Sequence, residues 1–181
     1  VLKKIIKSGD NVIDVGANIG VLTLYFRSLI GDSGKIYSFE PDPSSFCILE
    51  KNIVQNYLEN VIIENKAVSN KNKIIGFEVN KNITGGRIKE NDDSMLKVDC
   101  VSLDNYFSEK SIKIDFVKID TEGFDWMVLE GMRDIIKSNP EIKFMVEFHS
   151  RLLNESGIIP RKFLKIIEEF NFKIYDMGGL L

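Results

Sequence analysis

The sequence predicts an α/β fold with a mainly parallel sheet covered by helices on both faces. Three observations carry it. Short apolar runs recur at residues 12–15, 35–39, 61–68, 114–119 and 142–148. Stretches with apolar residues at helical spacing lie between several of them, and that alternation builds parallel sheets. Polar residues also gather at or just past the ends of the runs: Asp14, Gly16, Glu40, Asp120, Glu122 and His149. In open sheets of this kind ligands bind beyond the carboxyl ends of the strands.

Residues 11–30 set the frame. A run holding Val12, Ile13, Asp14 and Val15 leads into Gly16-Ala17-Asn18-Ile19-Gly20, and Val21, Leu22, Tyr25, Phe26 and Leu29 follow at helix spacing. This reads as strand, glycine turn and helix, with the helix start available to a nucleotide cofactor. Its glycine spacing is not that of dinucleotide binders, because Ala17-Asn18 fills the middle.

Composition bounds the rest. A chain of 181 residues is one domain by length. With 44% hydrophobic residues it can build a core, which excludes global disorder. Lys and Arg number 24 against 27 Asp and Glu, a net charge of −3. That balance lacks the basic excess of a nucleic-acid binder. No apolar run approaches the ~18 residues of a membrane span, and the start carries no signal-peptide pattern. Cys47 and Cys100 lack metal or redox spacing and are expected as buried free thiols. The expectation is a soluble cytoplasmic domain; its oligomeric state is not readable. The chain opens without Met inside a helical pattern, as a trimmed start would.

The remaining elements follow in order. Residues 35–39 form the second strand and end on Glu40, twenty residues past Gly20. An acid at that tip suits hydrogen bonds from both ribose hydroxyls, against the plainer reading of a loop carboxylate. Asp42 and Pro43 supply a cap and first-turn proline for a helix over 44–58. Residues 61–68 read as the third strand, and Lys66, Ala67 and Val68 at its exit are candidates to line an adenine pocket. Residues 70–99 break the rhythm: alternating segments at 74–79 and 95–101 flank Thr84-Gly85-Gly86-Arg87 and the acidic run at 90–93. That pattern predicts an antiparallel excursion, either a solvated decoration or a flap on the substrate side. A short helix begins at Leu103, and residues 114–119 form another buried strand ending in Asp120-Thr121-Glu122-Gly123. One amphipathic helix carrying Trp126, Val128, Leu129, Met132, Ile135 and Ile136 follows. Residues 142–148 are the next strand, with Glu147 inside it and His149, the single histidine, at its end. Pro160 opens a last helix, and residues 172–175 read as a final strand.

Taken together, VIDVGANIGVLTL (12–24), SFEPDP (38–43), NKAVS (65–69), VSLDNYF (101–107), FVKIDTEGFDWMVLEGM (116–132) and MVEFH (145–149) resemble the FkbM family of S-adenosylmethionine-dependent O-methyltransferases. The motifs occur in the family's order over nearly the whole chain. The resemblance implies a Rossmann-like class I methyltransferase fold and methyl transfer to a hydroxyl of a sugar, a glycan or lipid-linked saccharide, or a natural product. S-adenosylhomocysteine would be the product. Asp14, Gly16, Ala17, Asn18, Gly20, Glu40, Pro41, Ala67 and Asp120 are the expected cofactor contacts. Either Asp120 or His149 is the expected base, or Asp120 and Glu122 hold the acceptor hydroxyl. A cluster of Asp120, Glu147 and His149 could bind Mg²⁺, though Glu147 fits better facing a helix layer or pairing with a Lys or Arg. The methyltransferase fold normally ends with a sixth strand and an antiparallel seventh. The sequence stops soon after what reads as the sixth, so the seventh is expected either to lie beyond these residues or to be missing. Competing readings are a nucleic-acid methyltransferase, a nicotinamide-dependent oxidoreductase and a non-catalytic binding module on the same fold. Neither nucleic acid nor membrane is expected as a partner; a small-molecule or saccharide substrate is.

Overall fold

The computed structural model describes residues 1–79, 86–88, 95–176 and 179–180. A short helix α1 (Leu2–Ile5) precedes β1 (Val12–Val15), α2 (Val21–Ile30), β2 (Ile36–Phe39), α3 (Pro43–Gln55) and β3 (Val61–Glu64). An excursion follows: β4 (Ala67–Val68), β5 (Lys73–Val79), β6 (Gly86–Ile88) and β7 (Leu96–Val101). Then come α4 (Leu103–Phe107), β8 (Phe116–Ile119), α5 (Asp125–Glu130), α6 (Arg133–Ser138), β9 (Lys143–Val146), α7 (Ser150–Glu155) and α8 (Pro160–Glu169).

Five strands form the main sheet in the order β3-β2-β1-β8-β9, every neighbour parallel. Alternation along each strand divides the core. Val12, Ile36, Val61 and Phe116 point to one face and pack with Phe26 and Ile30 of α2 and Leu49 and Ile53 of α3. Ile13, Val15, Tyr37, Phe39, Val117 and Ile119 point to the other, against α4, α5, α6, α7 and α8. Strands buried on both faces explain the near-continuous apolar runs.

The excursion forms a second sheet, ordered β4-β7-β5-β6, in which β5 pairs antiparallel with both β6 and β7. That agrees with the alternating pattern of residues 74–79 and 95–101. The expected turn residues Thr84 and Gly85 and the acidic run at 90–93 lie outside the described residues.

Several expectations are corrected. The single helix after Gly123 is two, α5 and α6, interrupted at Gly131 and Met132, whose backbone leaves the helical region (φ −86°, ψ 9° and φ −135°, ψ 27°). The Ser69 carbonyl oxygen packs where a Gly131 side chain would stand. The Asp104 carboxylate accepts from the Asp134 and Ile135 amides and caps the restart. Strand β9 ends at Val146, so Glu147 lies beyond it. Residues 172–174 are not strand: Phe172 packs on Phe144 with ring centroids 5.0 Å apart. Instead β10 (Tyr175–Asp176) pairs with β11 (Gly179–Leu180), apart from the main sheet. Cys47 is exposed on α3, while Cys100 is buried as expected. Among the described residues no helix is long and apolar enough to cross a membrane.

Candidate active site

The site begins beneath the sheet's carboxyl rim. Register places Ser38, Asp14 and Lys118 side by side across β2, β1 and β8. All three are buried, Asp14 completely, within an otherwise apolar sheet. Isolated buried charges are costly, so they need partners. Asp14 has two: the Thr23 hydroxyl of α2 donates to Oδ2 at 2.6 Å, and the Lys118 ammonium lies 3.3 Å from Oδ1. That second contact is an ion pair without hydrogen-bond geometry. Lys118 donates instead to the carbonyls of Val15 (3.1 Å) and Gly16 (2.5 Å), and stands 3.6 Å from Asp120 Oδ2.

The turn after β1 is held from both sides. The Gly16 and Ala17 amides both donate to the Phe39 carbonyl at 3.0 Å. Gly16 adopts φ +73°, and a Cβ there would sit 1.9 Å from the Asp120 carbonyl oxygen. Only glycine lets the two strand exits approach so closely. Asn18, also left-handed at φ +53°, donates its amide to Glu40 Oε2 at 2.7 Å. At Gly20 the limit is α3, since a Cβ would meet Leu49 Cδ1 at 2.6 Å.

Glu40 is buried just past β2, and its other oxygen accepts from the Asp42 amide at 2.8 Å. Burial dominates its titration and pushes the carboxyl up to about 7, with the two amide donors opposing. Asn65, at the exit of β3, donates its side-chain amide to the Glu40 carbonyl at 2.8 Å. On the far side, β8 gives out to Asp120, Thr121 and the left-handed pair Glu122 (φ +54°) and Gly123 (φ +96°). Asp125, at the start of α5, accepts from the Thr121 amide, and burial raises its carboxyl. Glu147 is raised by partial desolvation and by the carboxylates of Asp120, Glu122 and Asp125, with His149 opposing.

These exits enclose a small, open-mouthed cleft of about 90 Å³. Gly16, Asn18, Glu40, Pro41, Ala67, Asp120 and Glu122 line it, as do Lys66 and Val68. Phe77, Gly86 and Ile88 of the second sheet close one wall.

Four expected site residues stand elsewhere. Asp14 is sealed inside the sheet by its own burial. Ala17 is buried in the turn, and Gly20 starts α2 against Leu49. His149 is exposed and caps α7, its Nδ1 accepting from the Leu152 amide at 3.5 Å, and is not part of the cleft wall. Glu147 is exposed and makes no ion pair among the described residues, so it neither faces a helix layer nor pairs with a Lys or Arg. Among the described residues no cluster of three or more His, Cys, Asp or Glu could hold a metal ion, so the Mg²⁺ reading has no ligand set. Sequence reasoning missed Lys118, whose signal was a lysine amid the apolar run 116–119, and the wall residues Phe77 and Ile88.

Residues 14–174 match the methyltransferase FkbM domain. The chain belongs to the FkbM methyltransferase domain family. This FkbM domain is 27% identical over 163 residues to the hexuronic acid methyltransferase AglP of Haloferax volcanii, a match covering 88% of this chain and 62% of that protein. Solved structures share the fold at lower identity. The methyltransferase FkbM of Methylobacillus flagellatus aligns with TM-score 0.61 and 16% identity over 87% of this chain and 37% of that one. Fibrillarin of Aeropyrum pernix, solved with natively bound S-adenosyl-L-methionine, aligns with TM-score 0.56 and 13% identity, covering 95% and 61%. The chain thus spans under two thirds of the length of these relatives.

Proposed function

We propose that this FkbM domain is an S-adenosylmethionine-dependent O-methyltransferase acting on a hydroxyl of a saccharide or saccharide-bearing molecule. The observation that carries the reading is Glu40: a buried carboxyl in the same cleft as the Gly16–Asn18 turn. The donor set fits the cofactor. Glu40 offers carboxylate oxygens to a ribose diol, as an acid at this position does. Pro41, Ala67 and Val68 give apolar contact for a flat base beside it. Asp120, next to Gly16, suits the ammonium of the cofactor's amino-acid arm.

Bound S-adenosylmethionine would supply an already activated methyl group, leaving the protein to align an oxygen and receive a proton. Glu122 lines the cleft and is exposed at its edge, where an acceptor hydroxyl would enter. It is assigned as the group that orients that hydroxyl and accepts its proton. His149, expected as an alternative base, is not assigned a chemical role. The saccharide class draws support from the hexuronic acid methyltransferase of Haloferax volcanii and from a net charge of −3 that disfavours nucleic acid.

Calorimetric titration with S-adenosylmethionine and S-adenosylhomocysteine tests the cofactor, and methyl transfer to a panel of saccharides tests the acceptor. Binding by the wild type that is lost in Glu40→Ala supports the reading. A folded sample, checked by circular dichroism, that binds neither compound overturns it.

A further inference from the structure

Lys118 is 3% exposed and is surrounded by four oxygens from three directions. Two are the carbonyls of Val15, at the end of β1, and of Gly16, one is the buried Asp14 carboxylate, and the fourth belongs to Asp120. Asp14 is the inner counter-charge of the lysine, 0% exposed. The Asp120 side chain is different: it is 45% exposed and lines the cleft. The lysine therefore ties the start of the glycine turn to a carboxylate of the cleft wall.

From this geometry we infer that Lys118 is a positioning residue for the cofactor. By engaging Asp120 Oδ2 from below, it turns the other carboxylate oxygen toward the cleft, where it receives the ammonium of the donor's aminoacyl arm. The same ammonium group holds the Val15 and Gly16 carbonyls, so turn and carboxylate are set relative to each other before ligand arrives. Preorganised groups bind more tightly because less ordering remains to be done. This rests on the methyltransferase reading, because the ligand that Asp120 meets is the one proposed above.

The test separates this role from the structural one. Lys118→Met is made together with Asp14→Asn, so that neither member of the buried pair is left as an unmatched charge. S-adenosylhomocysteine is titrated into four proteins: the wild type, this paired Lys118→Met protein, Asp120→Asn (in which Lys118 keeps Asp14), and the protein with all three replacements. Each replacement is expected to weaken binding about tenfold, the size of one charge-assisted hydrogen bond. The two together should weaken it by no more than about twofold beyond either alone, because they disable one device. Unchanged affinity in the Lys118→Met protein, or losses that multiply to about a hundredfold, overturns the inference.

A second measurement keeps Lys118 in place and covers the case in which Lys118→Met does not fold. The Lys118 Nζ resonance, observed by nitrogen NMR in the otherwise wild-type protein, is expected to move when S-adenosylhomocysteine is added. In Asp120→Asn it should stay still at saturating ligand. A resonance indifferent to ligand in the wild type overturns the inference. Failure of the wild type to bind the ligand at all is distinguishable from these outcomes, and takes the proposed function with it.

Discussion

Asp14 and Lys118 face each other across the centre of the sheet, 3.3 Å apart, 0% and 3% exposed at the side chain. They are register partners on adjacent strands, so the pair is set by strand pairing and not by flexible loops. A buried pair is weak evidence for net stability, because desolvation offsets much of the attraction. Breaking it is another matter. Lys118→Met should cost roughly 3–5 kcal/mol in urea unfolding, since Asp14 is left charged and buried. Adding Asp14→Asn should recover more than half of the loss, because the amide keeps the Thr23 contact without the charge. Equal stability of single and double variants would refute the pairing argument.

Glu40 makes stability depend on pH. Its carboxyl titrates at about 7 against an ordinary 4.5, because burial disfavours the charge. The folded state therefore binds this proton more tightly than the unfolded chain. Its stabilising contribution is complete below about 4.5 and is lost as pH rises through about 7. The shift corresponds to about 3 kcal/mol. The difference in unfolding free energy between wild type and Glu40→Gln, measured in the absence of cofactor from pH 4.5 to 8, should follow that curve. Parallel profiles for the two proteins would contradict it.

What could be read from the sequence follows from how local each feature is. The glycine turn, Asp42 as a helix cap, and Glu40 at its strand tip each announce themselves within a few residues. Asp42 does accept from the Ser44 amide, as its place before Pro43 implied. The surroundings of Asp14 were hidden for the opposite reason. An acid next to a glycine turn looks like a ligand contact, and only the register with Lys118 reveals it as half of an internal pair. At the break, Gly131 lets the Ser69 carbonyl, some sixty residues earlier, pack where a side chain would stand, a contact no local pattern announces. His149 has the polar character of a base and falls at the end of an apolar run, yet β9 stops at Val146 and the Nδ1 of His149 caps α7 instead. Phe77 and Ile88 reach the cleft through antiparallel pairing between strands whose connection no motif encodes.

Gly16 and Gly157 form a natural control. Both are left-handed, at φ +73° and +90°. Beside Gly157 nothing lies within 4 Å of where an added methyl would stand, so Gly157→Ala should cost only the conformational term of about 1–2 kcal/mol. Gly16→Ala adds a backbone collision with Asp120 at 1.9 Å, forcing the exits of β1 and β8 apart. It should lose at least ~2 kcal/mol more than Gly157→Ala, beyond the range of the φ penalty alone. Chemical denaturation of both variants measures the difference, and similar losses would mean that the close approach is easily relaxed.

Binding and turnover should separate along the cleft. Glu122 is exposed at its edge, and Asp120 sits against the glycine turn. With an acceptor in hand, Glu122→Gln should lower kcat about a hundredfold or more, the usual contribution of a positioned proton acceptor, while S-adenosylhomocysteine affinity holds. Asp120→Asn should do the reverse in part, weakening the cofactor before turnover is considered. His149→Ala removes a long cap contact at the exposed start of a six-residue helix. It should change stability by less than ~0.5 kcal/mol and leave kcat within about threefold of wild type, well short of losing a general base. A large loss of kcat in His149→Ala with Glu122→Gln active would move the base to the β9 exit, and would require the acceptor to bridge from the cleft to α7.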